Sequence, residues 1–161
     1  MLTLLSERTE EIRRFQTKPW PLQKTFKTPL KELNRFIATF LARFSFEKGT
    51  LSTHQVVFEP KHLLQLLRNN SVTVSDHYRW TIVAAGKEDI ADLLQAALDD
   101  WVDFTFVPCP EVVAIYADHD EYTTFYTRDD ATLNSLTSSL EAAGFETVLS
   151  YSRGCSGDNW R

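Results

Sequence analysis

Two similar strand–helix–strand patterns in the C-terminal half constrain the fold of this chain more than any other feature. One runs from Tyr78 and the other from Glu121, and the apolar helix positions correspond at a constant offset, as Ile90 does with Leu133. Alternating apolar residues predict half-buried strands, and apolar residues spaced three and four apart predict amphipathic helices. The sequence therefore predicts an α+β fold.

Five segments of this half predict strands. They are YRWTIVAAG, DFTFVP, EVVAIYA, EYTTFYT and FETVLSY, in chain order. One predicted helix ends near Trp101, and the other begins after an N-cap at Asp129 or Asp130 and ends before Gly144. We therefore expect a ferredoxin-like βαββαβ sandwich of about five strands with two helices on one face. That fold hosts many unrelated functions and does not by itself supply one.

Residues 1–75 predict a mainly helical N-terminal extension packed on the sandwich. The clearest helix follows Thr28 and Pro29, which suit the N-cap and the first helical position, and it continues to Phe44 with three phenylalanines on its apolar face. We expect this face to cover the side of the sheet that the other helices leave open. KPWPLQKTFKTP predicts an extended connector because its prolines interrupt a helix.

The predicted organisation is one folding unit with three parts. Residues 1–75 are basic, residues 76–152 form the acidic sandwich, and residues 153–161 are expected to be a flexible tail. Residues 1–70 hold 12 Lys and Arg against 6 Asp and Glu, whereas residues 71–161 hold 5 against 16. Such asymmetry indicates either a binding surface or two halves that attract each other across an internal interface.

Composition bounds the compartment and the class of protein. The 161 residues suffice for one self-sufficient core, and no apolar run approaches the roughly 20 residues that a membrane span needs. Cys109 and Cys155 match neither a disulfide framework nor a CxxC metal pattern. The sequence therefore predicts a cytoplasmic protein that does not engage a membrane. It does not indicate an oligomeric state.

An unbroken row of charged side chains, Asp118, His119, Asp120 and Glu121, is the most conspicuous candidate site. Carboxylates and an imidazole can bind Mn²⁺, Mg²⁺ or Zn²⁺, but consecutive side chains of a strand point to opposite faces. The row also lies between two predicted strands, where Asp is favoured at a hairpin tip. We therefore interpret the row as a charged turn rather than a metal or acid–base site, and expect no cofactor.

Tyrosines flank this row. Tyr122 and Tyr126 share one strand face, and Tyr116 on the neighbouring strand can join them. Nucleic-acid bases could stack on such a face, as they do on RNA-recognition domains. However, the surrounding charge is negative, which opposes phosphate binding, and no basic–glycine–aromatic motif occurs. The sequence disfavours nucleic acid. Burial of the tyrosines beneath a helix is the structural alternative.

Other catalytic classes find little support. Neither GxxxxGK[ST] nor GxGxxG occurs, no serine has a GxSxG setting, and the histidines form no HxxxH or HExxH pair. The remaining candidate nucleophile is Cys109, which could be paired with His119. A lone cysteine at a strand end is more often a small buried apolar group.

These observations favour a non-enzymatic protein-binding module. Acidic and aromatic groups on a rigid scaffold suit a protein that occupies a basic surface of a partner protein, as an inhibitor or immunity-type protein would. The expected partner-binding residues are Asp118, His119, Asp120, Glu121, Tyr122, Tyr116 and Tyr126. The alternatives are a metal-dependent enzyme that uses residues 118–121 and a small-molecule sensor that uses a cleft.

Overall fold

The computed structural model describes residues 1–74, 77–149 and 151, which form seven strands and five helices. The strands are β1 (Leu2–Leu5), β2 (Leu22–Lys27), β3 (Lys48–Gln55), β4 (Thr81–Ala85), β5 (Asp103–Cys109), β6 (Ala114–Ala117) and β7 (Tyr122–Thr127). The helices are α1 (Glu10–Thr17), α2 (Leu33–Leu41), α3 (Lys61–Asn69), α4 (Lys87–Asp99) and α5 (Asp130–Ala142). The predicted flexible tail, residues 153–161, lies outside the described residues.

All seven strands form one antiparallel sheet in the order β1-β4-β3-β5-β6-β7-β2. The α+β class is confirmed, but the expectation of about five strands in a ferredoxin-like sandwich is wrong. The additional strands come from the N-terminal region, which supplies β1 and β2 at the edges and β3 inside the sheet. That region is therefore less helical than its sequence indicates.

The inserted strands explain how the two strand–helix–strand patterns are accommodated. β3 pairs antiparallel with both β4 and β5, so β4 and β5 run parallel and are connected by α4. In the same way, β2 pairs with β7 on one side and with the segment after α5 on the other. That segment forms only one isolated bridge, between Thr147 and Phe26 of β2, so β2 remains the last strand of the sheet. Each unit is thus split by a strand from the basic half. The predicted strand FETVLSY is reduced to this bridge, and its residue 150 lies outside the described residues.

The sheet has a large core on one face and a small core on the other. Alternating residues of β5 show the division, because Phe104 and Phe106 enter the large core and Val107 enters the small one. Helix α2 contacts α4 and α5, so the phenylalanine-rich helix lies on the same face as they do, contrary to our expectation. Helix α1 covers the small core through Ile12 and Phe15.

Several element boundaries differ from those expected. The segment LTLL forms β1, and α1 follows it with Thr9 as the N-cap, whose side chain accepts from the Ile12 amide. The proline-rich connector contains β2. Gly49 lies inside β3. In the described ranges no helix is both long and apolar enough to cross a membrane.

Candidate functional site

The charged row forms the tip of the β6–β7 hairpin. The Asp118 amide donates to the Tyr122 carbonyl at 3.1 Å, and the Asp118 carboxylate accepts from the amides of Asp120 at 3.0 Å and Tyr122 at 3.3 Å. Glu121 has a φ of 69°, the left-handed conformation that closes such a turn. The geometry matches a charged turn. Asp118 shapes this turn, whereas Asp120 and Glu121 are exposed.

His119 fixes the tip to the body of the protein. Its backbone amide and its Nδ1 atom lie 2.9 Å and 2.8 Å from the same oxygen, Oδ1 of Asp103. Asp103 begins β5 and is buried. With Nδ1 hydrogen-bonded to this carboxylate, Nε2 lies on the side of Asp120, 3.8 Å from its Oδ1. The hairpin tip therefore has an anchored conformation.

A second histidine makes the same pair of contacts. Oδ1 of Asp100 accepts from the His62 amide at 3.2 Å and lies 2.7 Å from its Nδ1, while Oδ2 accepts from the Leu63 amide at 2.7 Å. Asp100 thereby satisfies two amides at the N-terminus of α3. The sequence does not indicate this pair, because 38 positions separate the two residues and no motif connects them.

Both aspartates lie at the turn between α4 and β5, residues 100–102, and Asp103 directly follows this turn as the first residue of β5. This turn joins the β3–α3 loop to the β6–β7 hairpin at one end of the sheet. We call this end, defined by residues 57–62, 99–103 and 118–122, the acidic end. The structure thus brings the predicted row together with residues that the sequence placed elsewhere.

The turn itself contains an unusual residue. Trp101 has a φ of 59°, its amide donates to the Leu98 carbonyl, and the Val102 amide donates to the Ala97 carbonyl. This is a Schellman motif, whose left-handed position is usually glycine, and an L-residue there costs about 1–2 kcal/mol. The sequence predicted a helix that ends near Trp101, and α4 ends two residues earlier, at Asp99.

Trp101 contacts one of the few large apolar side chains that the described surface exposes. The Phe58 ring lies edge-on to Trp101, with 6.4 Å between the centroids, and Phe58 is 58% exposed. Its neighbour Val57 is also exposed, at 44%. The acidic end therefore carries an apolar step, formed by Val57, Phe58 and Trp101, beside its charged groups.

The predicted tyrosines divide between surface and core. Tyr116 and Tyr126 are 2% and 0% exposed and belong to the small core beneath α1. They are therefore not accessible to a partner, and their assignment to a binding surface is corrected. The reason is that helix α1 covers this face of the sheet. Burial beneath a helix was the alternative that the sequence offered, but the helix expected there was the phenylalanine-rich one. Tyr122 is half-buried, and its ring centroid lies 5.0 Å from that of Tyr151.

Charge and burial shift the pKa of the acidic-end groups in identifiable directions. The hydrogen bond that His119 donates to the Asp103 carboxylate raises the pKa of His119, and the bond that His62 donates to Asp100 raises the pKa of His62. Burial raises the pKa of Asp103 itself, and its bonds with His119 oppose this. The folded chain therefore holds a proton on each of these two imidazoles more tightly than the unfolded chain does.

The catalytic alternatives lack a supporting arrangement. Within residues 1–74, 77–149 and 151, no group of three or more His, Cys, Asp and Glu side chains is placed to hold a metal ion. Cys109 ends β5 whereas Asp103, which holds His119, begins it, so about 20 Å of strand separates the two ends. The pairing of Cys109 with His119 is therefore wrong.

His54 is a packing residue rather than a ligand. Its ring stacks on Tyr116, with centroids 5.7 Å apart, and its Nε2 lies 2.7 Å from Oγ1 of Thr105. Burial lowers the pKa of His54 to about 3, with a contribution from Arg8. The imidazole of His54 therefore packs against the small core through Tyr116.

A cleft of about 420 Å³ lies beside α1, away from the acidic end. Trp20 forms part of its wall, and the Arg128 guanidinium lies 4.2 Å from the centre of the Trp20 ring. Glu111 accepts from Arg14 at 3.1 Å and pairs with Arg128 at 3.6 Å. A cleft of this volume suits a small molecule more than a macromolecule.

No protein-family model matches this sequence, and neither a curated protein nor a solved structure is detectably similar to it. Function is therefore inferred from the residues of this chain.

Proposed function

We propose that this protein is a non-enzymatic binding module that uses its acidic end to occupy a basic surface of another protein, as an inhibitor or immunity-type protein does. The observation that carries the proposal is the anchored hairpin tip. Asp120 presents a side chain that is 74% exposed on a turn held by Asp118 and His119, and the exposed Glu121 follows it. Charges on a fixed turn lose little freedom when they bind.

Electrostatics support the same partner class. Negative charge around residues 99–103 comes from Asp99, Asp118, Asp120 and Glu121. The cation of Lys61 lies close enough to His62 to lower the pKa of its imidazole. Complementary charge chiefly accelerates encounter and selects partners. Tyr122 can add contact area at the base of the tip. Tyr116 and Tyr126 have no part in this proposal.

The test is affinity capture from the native lysate with three forms of the protein. The first is wild type, the second carries Asp120→Asn and Glu121→Gln, and the third carries Glu88→Gln and Asp92→Asn. The last pair removes the same number of charges from the N-terminal half of α4, where Glu88 lies about 17 Å along the helix axis from Asp99.

We expect one protein, identified by mass, to bind wild type and the Glu88/Asp92 variant at about 50 mM salt and to be lost from the Asp120/Glu121 variant. Its capture should weaken at about 300 mM salt because exposed charges are screened. Equal capture by all three forms would overturn the proposal.

Small-molecule sensing is a second candidate, supported by the cleft beside Trp20. Its size falls within the range of ligand pockets, and its wall contains the Trp20 ring with the Arg128 guanidinium packed directly on it. A ligand bound there should raise the thermal midpoint of wild type and not that of Trp20→Ala. A screen of planar carboxylates that shifts neither protein would remove this candidate.

A further inference from the structure

The apolar step of the acidic end, formed by Val57, Phe58 and Trp101, has features of a docking anchor rather than of a solvated loop. Phe58 exposes more than half of its surface, and its ring contacts Trp101, which is itself half-buried. Exposed aromatic side chains that pack on each other give large contact areas at little entropic cost, as binding anchors do.

The backbone supplies an independent argument. Trp101 occupies the left-handed position of the α4 Schellman motif, where glycine is favoured. Folding alone therefore does not explain a tryptophan at this position. Residues that break local rules of stability in this way concentrate at functional sites.

The surrounding charge indicates the chemistry of the occupant. Asp99 ends α4 two residues before Trp101, and the neighbouring Asp100 and Asp103 hold His62 on one side and the hairpin tip on the other. A purely apolar occupant would desolvate the carboxylates of Asp99, Asp120 and Glu121 without pairing them. A segment that combines apolar and basic side chains satisfies both parts of the surface.

We propose that Phe58 and Trp101 form the apolar anchor for a partner protein's basic segment, whose apolar side chain packs on the two rings while its Lys or Arg groups face Asp99, Asp120 and Glu121. This inference rests on the proposed function and adds to it the composition of the partner segment. It also separates two roles, because the carboxylates attract any basic chain and the aromatic step selects among basic chains.

Two labelled peptides of equal length and equal charge test it. One alternates lysine with leucine and phenylalanine, and the other replaces those apolar residues with serine. Fluorescence anisotropy at about 50 mM salt measures the affinity of each peptide for wild type, Phe58→Ser and Trp101→Gly. Trp101→Gly suits the left-handed backbone, and Phe58→Ser changes an exposed side chain, so each keeps a cooperative thermal transition.

Wild type should bind the apolar-basic peptide about tenfold more tightly than the lysine–serine peptide, and both variants should lose this advantage while still binding the second peptide. An advantage that persists in both variants would overturn the anchor. Its failure is distinguishable from that of the proposed function, because binding of the lysine–serine peptide depends on the carboxylates alone. If Asp120→Asn/Glu121→Gln binds that peptide as wild type does, the proposed function fails instead.

Discussion

The Nδ1 atom of His119 lies 2.8 Å from Oδ1 of Asp103, and the His119 amide lies 2.9 Å from the same oxygen. A single buried carboxylate thus holds both the backbone and the side chain of the hairpin tip. The acidic row is presented to solvent by an anchored turn, and this anchoring distinguishes it from a mobile charged loop.

Asp103→Ala should release this anchor. The His119 amide and imidazole would lose their acceptor in a partly buried setting, which costs roughly 1–3 kcal/mol of unfolding free energy. Denaturant unfolding measures this loss, and hydrogen exchange of residues 118–122 should accelerate more than exchange in β3. Unchanged protection of the tip would show that its conformation does not depend on Asp103.

His62 should make stability depend on pH near neutrality. Its pKa is raised above the ordinary value of 6.5 chiefly by the bond to Asp100, so the folded chain holds the proton more tightly than the unfolded chain. The resulting stabilisation is fully present below pH 6.5 and is lost as the pH rises through the folded pKa. The difference in unfolding free energy between wild type and His62→Gln should therefore shrink between about pH 6 and pH 9. A difference that stays constant over this range would contradict the assignment.

His54 should act in the opposite direction. Because burial lowers its pKa to about 3, the unfolded chain takes up a proton below pH 6.5 that the folded chain does not. Stability is lost as the pH falls, by about 2 kcal/mol between pH 7 and pH 5. The His54→Gln variant should lack this part of the acid sensitivity in denaturant unfolding. Equal slopes for the two proteins would show that His54 is protonated in the folded state.

Gly49→Ala should destabilise the protein by steric conflict. A Cβ atom at this position would lie 2.2 Å from Cζ of Phe106, and overpacking of this kind typically costs 1–3 kcal/mol. Phe106→Leu in the same chain should recover part of the loss. Gly144→Ala is the matched control, since its strain comes from a φ of 92° with no atom within 4 Å of the new Cβ. Rescue of Gly144→Ala by Phe106→Leu would contradict the steric explanation.

Local patterns predicted much of the C-terminal half. The alternation of Trp80, Ile82 and Ala84 correctly placed β4, and all three residues are buried. Strands β1 and β2 were not predicted, because neither has a clear periodic pattern. β1 has only four residues, and β2 directly follows Pro19, Trp20 and Pro21. Pairing with strands that are distant in the sequence determines both. The strand order was equally inaccessible, since nothing in β3 specifies that it lies between β4 and β5.

The candidate site shows the same limit. The hairpin tip was predicted because Asp and Glu between two alternating segments are typical of a turn. The pairs formed by His62 with Asp100 and by His119 with Asp103 join residues 38 and 16 positions apart, and only the tertiary structure brings them together. The burial of Tyr116 and Tyr126 likewise depends on where the short helix α1 docks.

The location of binding tests the central claim most directly. Adding the lysine–serine peptide to isotope-labelled protein and following the amide signals by NMR shows which residues contact a basic chain. The account predicts perturbations concentrated at residues 118–122 and 99–103 that diminish at about 300 mM salt and disappear in Asp120→Asn/Glu121→Gln. Perturbations centred on α1 and Trp20, or spread evenly over the surface, would contradict the claim that the acidic end is the binding site.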